Sequence, residues 1–151
     1  MKKIVSGGQT GADRAGLDFA IAQRLPHGGW CPAGRVAEDG PIDWRYRLKE
    51  TPSPAYAQRT EWNVRDSDGT VIFSVGPEVF GGSRLTIEFA QQHRKPWILI
   101  SQARDGADAA QKLRDFLIRH KIAVLNVAGP RASSEPAVAE FVVSVLAKLL
   151  L

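Results

Sequence analysis

Apolar residues recur along the chain in two alternating rhythms. Ile4 to Ser6 is a short, largely β-branched run that enters Gly7-Gly8-Gln9-Thr10-Gly11, and Ala15, Leu17, Ala20, Ile21 and Leu25 then follow at helical spacing. The same order of strand, glycine turn and helix returns at Thr70 to Val75, Gly81-Gly82-Ser83 and the helical positions Leu85, Phe89 and Ala90, which end before Lys95-Pro96. Trp97 to Ile100 predicts another strand, Ala109, Leu113, Phe116 and Leu117 a helix, and Ile122 to Val127 a fourth strand. After Gly129-Pro130-Arg131, one helical face carries Val138, Phe141, Val142, Val145, Leu146 and Leu149, with Ser133 or Ser134 as the expected cap. Strands and helices alternating at these lengths predict an α/β fold. Its form is a Rossmann-like three-layer α/β/α sandwich around a mostly parallel sheet.

Residues 31 to 69 break the rhythm. They are rich in Pro, Arg, Asp and Trp, and a loop of this length in a small domain is functional or disordered as a rule. Trp44, Tyr46, Tyr56 and Trp62 argue for an ordered excursion that packs against the carboxyl edge of the sheet and helps to build a site. With 151 residues, 44% hydrophobic and 24% charged, the whole chain reads as one ligand-binding domain, residues 1–151. The single cysteine, Cys31, forms no internal disulfide and is expected as a small buried hydrophobe. No leader follows Lys2-Lys3 and no apolar window is long enough to span a membrane, so a cytoplasmic protein is expected.

The net charge is +4, and 13 of the 20 cations are arginine, whose planar fork matches phosphate and carboxylate oxygens. In an open parallel sheet the turns that follow strands gather at one edge, where ligands bind. Three such turns each join glycine to a nearby arginine: Gly7 to Gly11 with Arg14, Gly81-Gly82-Ser83 with Arg84, and Gly129-Pro130 with Arg131. Glycine permits close approach and positive φ, and open amides at helix N-termini favour negative charge. None of the three matches a nucleotide fingerprint literally, so the pattern stops at an anionic or nucleotide-like ligand. No metal site is expected, because His27, His93 and His120 lack partners at ligand spacing. Trp30, Trp44 and Trp62 either stack on a flat heterocycle or close a small core under the excursion. Arg35, Arg45, Arg47, Arg59 and Arg65 are interleaved with acids, which favours a solvated, salt-bridged face over nucleic-acid binding.

Several long segments carry a family resemblance. They are S-G-G-Q-T-G-A-D-R-A at 6 to 15, G-G-W-C-P-A-G-R-x-A-E-D-G at 28 to 40, R-T-E-W-N-V-R-D-S-D-G-T at 59 to 70, G-G-S-R-L-T at 81 to 86 and L-N-V-A-G-P-R-A-S at 125 to 133. Together they resemble the molybdenum carrier family, the circularly permuted YpsA-like branch of the SLOG superfamily. Other branches of that superfamily are LOG and lysine-decarboxylase-like or DprA-like. The resemblance implies a permuted Rossmann-like fold that binds a phosphorylated small molecule, either molybdenum cofactor (a molybdopterin), as carrier or store, or a nucleotide derivative, as sensor. By position it assigns Gly7, Gly8, Gln9, Thr10, Gly11 and Asp13 to a first wall, Gly81, Gly82, Ser83 and Thr86 to a second, and Gly129, Arg131 and Ser133 to a third, with Asp68 orienting a ligand hydroxyl or a loop. It also implies a homo-oligomer, dimer or tetramer, for which the apolar final helix ending Leu149-Leu150-Leu151 supplies a reason.

The LOG branch offers an enzyme alternative, a phosphoribohydrolase with a proline-glycine-glycine-x-glycine-threonine-x-x-glutamate motif. Here Phe80 replaces the proline, Arg84 replaces the third glycine, and Glu88, the candidate catalytic carboxylate, follows Thr86 by two places. Pairing of Glu88 with Arg84 or Gln92 on a helix surface is the competing expectation, and a binding or carrier protein is favoured over an enzyme. On this reading Gly8→Val weakens the ligand without unfolding the chain.

Overall fold

A computed structural model describes residues 1–150; Leu151, the end of the C-terminal apolar run, lies outside the described residues. The strands are β1 (Lys3–Val5), β2 (His27–Gly28), β3 (Trp30–Cys31), β4 (Val36–Ala37), β5 (Gly40–Pro41), β6 (Lys49–Glu50), β7 (Gly69–Ser74), β8 (Trp97–Ser101) and β9 (Val124–Ala128). The helices are α1 (Ala12–Ala22), α2 (Tyr56–Arg65), α3 (Gly81–Gln92), α4 (Gln102–Asp105), α5 (Ala109–Arg119) and α6 (Val138–Lys148). Five strands form one sheet in the order β2-β1-β9-β7-β8, every neighbouring pair parallel. Parallel strands need cover on both faces, and the sequence meets this with unbroken apolar runs: all six residues of β7 are buried. Helices α1, α5 and α6 cover one face while α2 and α3 pack together over the other.

The main core joins β7, β8 and β9 to α1, α5 and α6 through Phe73, Ile100, Leu125, Val127, Leu113, Phe116 and Phe141, with the rings of Phe73 and Phe141 edge to face at 5.8 Å. The apolar stripe of α6 is consumed inside this core: Val138, Phe141, Val142, Val145 and Leu146 are buried and Leu149 packs against them. That stripe therefore supplies no free surface for an oligomer. Neither Ser133 nor Ser134 caps α6, because the turn before it runs on to Ala137, which carries no side-chain cap. No helix among the described residues is long and apolar enough to cross a membrane.

The excursion forms its own small core. Cys31, Ala37, Ile42 and Tyr46 are buried against Leu17 of α1, and Leu48 packs on them. Strands β3 and β6 pair in parallel, and β4 and β5 form a hairpin. Arg35 sits at the centre, buried, donating Nε and Nη hydrogen bonds to the carbonyls of Ile42, Asp43, Tyr46 and Leu48 while its guanidinium stacks on Trp44 at 4.2 Å. A buried guanidinium that satisfies four carbonyls is an internal brace, not part of a solvated face. Arg35→Ala is expected to lose at least about 2 kcal/mol, since it leaves buried acceptors unpaired. Hydrogen exchange checks it: amides of residues 31 to 50 lose protection while those of β7 and β9 keep theirs.

Candidate functional site

Helices α1 and α6, which follow β1 and β9, lie on one face of the sheet, whereas α3, which follows β7, lies on the other. The turns after these three central strands therefore diverge, the condition for a ligand crevice at the carboxyl edge. A cavity of about 860 Å³ opens there. Gly7, Gly82 and Gly129, one from each predicted turn, all line it, as do Gln9, Asp13, Gly81, Ser83, Thr86, Arg131 and Ser133. The excursion closes the remaining side with Tyr56 and Arg59 of α2.

The three turns are not equivalent, and hydrogen-bond accounting separates them. In the first turn the Gln9 amide donates to Asp13 Oδ2, the Thr10 amide to Gln9 Oε1 and the Ala12 amide to the Pro130 carbonyl, so this helix start is already satisfied from within. In the third turn the Ala132 amide donates to Thr10 Oγ1 and the Ser133 amide to Glu38. The second turn is more open: the Ser83 amide turns back to the Phe80 carbonyl at 3.2 Å, but α3 has no side-chain cap, and Gly81 and Gly82 are exposed with nothing near their Cα hydrogens. Uncapped helix amides and the positive end of the helix dipole favour an anion there. Arg131 stands on the same cavity, 5.5 Å over the ring of Tyr56, with Arg59 5.0 Å from the same ring.

Several residues expected at the site serve the scaffold instead. At φ +80° Gly8 turns toward the excursion, where a Cβ would meet Leu48 at 2.7 Å and Ile42 at 3.1 Å; Gly8→Val is therefore a variant of folding, not of binding. Gly11, also at φ +80°, lets the first turn touch the third, because a Cβ would stand 2.4 Å from the Pro130 carbonyl oxygen. Thr10 Oγ1 donates to Glu38, which also accepts from Ser133 Oγ at 2.6 Å, so Glu38 staples the first and third turns. Ser133 thus borders the cavity with its hydroxyl already engaged. Arg14 is locked to Asp39 at 2.5 Å and to the Gly8 carbonyl. Asp68 lies at the opposite edge of the sheet, accepting the Ala123 and Val124 amides at the start of β9; it orients a loop there, outside the cavity. Arg84 is exposed outside the cavity, and so is Glu88. Counted from Gly81-Gly82, Glu88 keeps the spacing of the motif glutamate and Leu85 takes the threonine place, yet the side chain faces solvent and pairs with neither Arg84 nor Gln92.

Asp13 is the exception among the polar groups. It is buried on the cavity wall, and burial pushes its carboxyl up to about 6 despite the opposing pull of Arg59. Arg59 is buried too, donating Nη1 to the Gly7 carbonyl at 2.7 Å. A Cβ on Gly7 would stand 2.8 Å from both Asp13 Oδ2 and Arg59 Nη1, so the two charges flank this glycine. They form no ion pair; the pairs among the described residues are Arg14–Asp39, Arg65–Asp66, His93–Glu61 and Lys112–Asp105. Arg59 was expected on a solvated face, and only its place in α2 brings it inside. Cys31 and the tryptophans do not line this cavity: Cys31 belongs to the small core, Trp30 and Trp62 pack edge to face at 4.8 Å, and Trp44 lies outside under Arg35. No cluster of three metal-ligating side chains occurs among the described residues.

Comparison with known proteins agrees with this architecture. The model of the circularly permutated YpsA SLOG family matches residues 4–150. Among solved structures, the crystal structure of "Putative molybdenum carrier protein" from Syntrophus aciditrophicus SB superposes with a TM-score of 0.97 at 48% identity, over 100% of this chain and 96% of that one. None of the curated proteins compared matches the chain.

The burial of Asp13 has a measurable cost. Its folded value lies above the ordinary 3.8, so ionisation opposes folding: the penalty is full above about pH 6, shrinks as pH falls and is gone below the ordinary value. Asp13→Asn removes the charge and keeps an acceptor for the Gln9 amide. Urea unfolding at pH 8 should find this variant more stable than the parent by on the order of 3 kcal/mol, with the gap closing near pH 4. Equal stability at pH 8 would contradict a strained carboxylate.

Proposed function

Because the chain belongs to the circularly permuted YpsA SLOG family, we propose that its cavity binds a phosphorylated small molecule, which the protein carries, stores or senses. The observation that supports this is the open start of α3, with Arg131 and Arg59 bracketing Tyr56, on a cavity of about 860 Å³. That volume lies in the range of small-molecule sites, and cationic forks beside open helix amides suit a phosphate. The phosphate rests on Gly81, Gly82 and Ser83 and is held by Arg131, and the remainder of the ligand extends over Tyr56 toward Gly7 and Asp13.

Molybdenum cofactor is a candidate through the 48% identical protein named for molybdenum carriage, and a nucleotide derivative is the other. The cavity groups fit the organic part of either: Arg131 for the phosphate, Tyr56 for a flat ring, and Asp13 for a polar ring edge. In molybdenum cofactor the metal would come already bound by the ligand's own sulfurs, and this chain's residues would hold only the pterin and phosphate.

Two measurements test the reading. Native mass spectrometry of the purified protein should show an adduct that denaturation releases as a phosphorylated pterin or nucleotide. Arg131→Ala should weaken pyrophosphate binding in calorimetry by more than about 1 kcal/mol with an unchanged melting temperature. Absence of any adduct, together with pyrophosphate affinity that ignores Arg131→Ala, would contradict the proposal.

A further inference from the structure

The end of the cavity away from α3 carries polar groups with spare hydrogen-bonding capacity, one of them a buried donor with no partner. Asp13 is more than nine-tenths buried, and the Gln9 amide reaches its Oδ2 only at 3.3 Å. The charged groups around it are Arg59, beside Gly7, and Arg14, which is held by Asp39. Gln9 is also more than nine-tenths buried. Its Oε1 accepts the amides of Thr10 and Glu38, which fixes the orientation of the carboxamide and leaves Nε2 buried with no partner. Arg59 engages Nη1 and Nε, at 2.7 Å and 3.4 Å, and its Nη2 has no partner among the described residues. One acceptor-only carboxylate and two donors thus share one wall.

A buried donor left without a partner, as Gln9 Nε2 is, is costly, and a ligand that completes it and its neighbours is preferred strongly over one that does not. The required complement is a flat edge with two adjacent N–H donors beside a carbonyl oxygen. Adenine presents a single amino group next to a bare ring nitrogen, whose lone pair would face the carboxylate. Resting on the reading that the phosphate lies at α3, we propose that Asp13 selects heterocycles with a lactam and an adjacent amino group, the guanine and pterin class, and rejects adenine. Asp13 accepts the ring N–H and the amino group, while Gln9 Nε2 and Arg59 Nη2 donate to the carbonyl. The same chemistry accounts for a carboxylate kept at the start of α1 against its own desolvation.

Calorimetric titration with GMP, IMP, AMP and inorganic pyrophosphate, on the parent and on Asp13→Asn, tests this. In the parent, GMP should bind at least about tenfold tighter than AMP, with IMP, which lacks the amino group, between them. Asp13→Asn should reduce the GMP-to-AMP ratio to about one while pyrophosphate binds no more weakly than before; a cooperative urea transition of the variant is the check that it is folded. AMP binding as tightly as GMP in the parent, or a ratio that survives in Asp13→Asn, overturns the selectivity and leaves the phosphate reading standing if pyrophosphate binds. A parent that binds none of the four overturns both.

Discussion

The contact between the turns after β1 and β9 is the constraint on which the site depends. Gly11 lies where any Cβ would strike the Pro130 carbonyl, and Gly129, at φ +156°, lies where one would strike Ala12 and the Phe73 carbonyl. Two neighbouring parallel strands can therefore end in turns that touch, tied by Thr10 to the Ala132 amide and by Glu38 to Ser133. With those turns closed on each other, α1 and α6 lie together on one face and the space on the other face stays open, between the turns, α2 and α3. Glycine here shapes the cavity by letting backbone meet backbone, more than by offering amides to a ligand.

The cavity that results is polarised. One end has the uncapped start of α3; the other has a helix start whose positive end already faces its own carboxylate, Asp13, and Arg131 stands on the same cavity from the turn that touches α1. The excursion supplies Tyr56 and Arg59, the latter reaching the Asp13 end beside Gly7. A molecule with phosphate at one end and a hydrogen-bonding ring at the other matches that polarity, whereas a featureless anion would use only half of it. Asp13 destabilises the fold by being buried and ionised, and groups of this kind concentrate at functional sites.

The sheet was legible because buried parallel strands carry continuous apolar runs, as in Val71-Ile72-Phe73 and Val124-Leu125, and the turns were legible from their glycines. Strand β2 was not, since His27-Gly28 has no apolar signal and is defined only by pairing with β1. Helix α2 was hidden for a related reason: Tyr56 to Arg65 is mostly polar, and its inward face buries Arg59, Asn63 and Val64 in place of an aliphatic stripe. In sequence, Arg59 consequently resembles a surface residue. Spacing sets Gly8, Arg14 and Arg84 level with Gly7 and Arg131, and the family resemblance adds Asp68, because a motif records proximity in sequence and not the direction in which each side chain leaves the turn. The acid at the start of α1 was visible in S-G-G-Q-T-G-A-D-R-A; its strain was not, as that depends on walls contributed by α2 and the third turn.

A direct measurement of the polarity is a crystal of the protein soaked in tungstate, an electron-dense mimic of phosphate, with the anion located from its anomalous scattering. The account predicts one strong peak inside the cavity, within hydrogen-bond reach of the Gly82 amide and the Arg131 guanidinium. A peak beside Asp13, or an empty cavity with tungstate bound only on the outer surface, would contradict it.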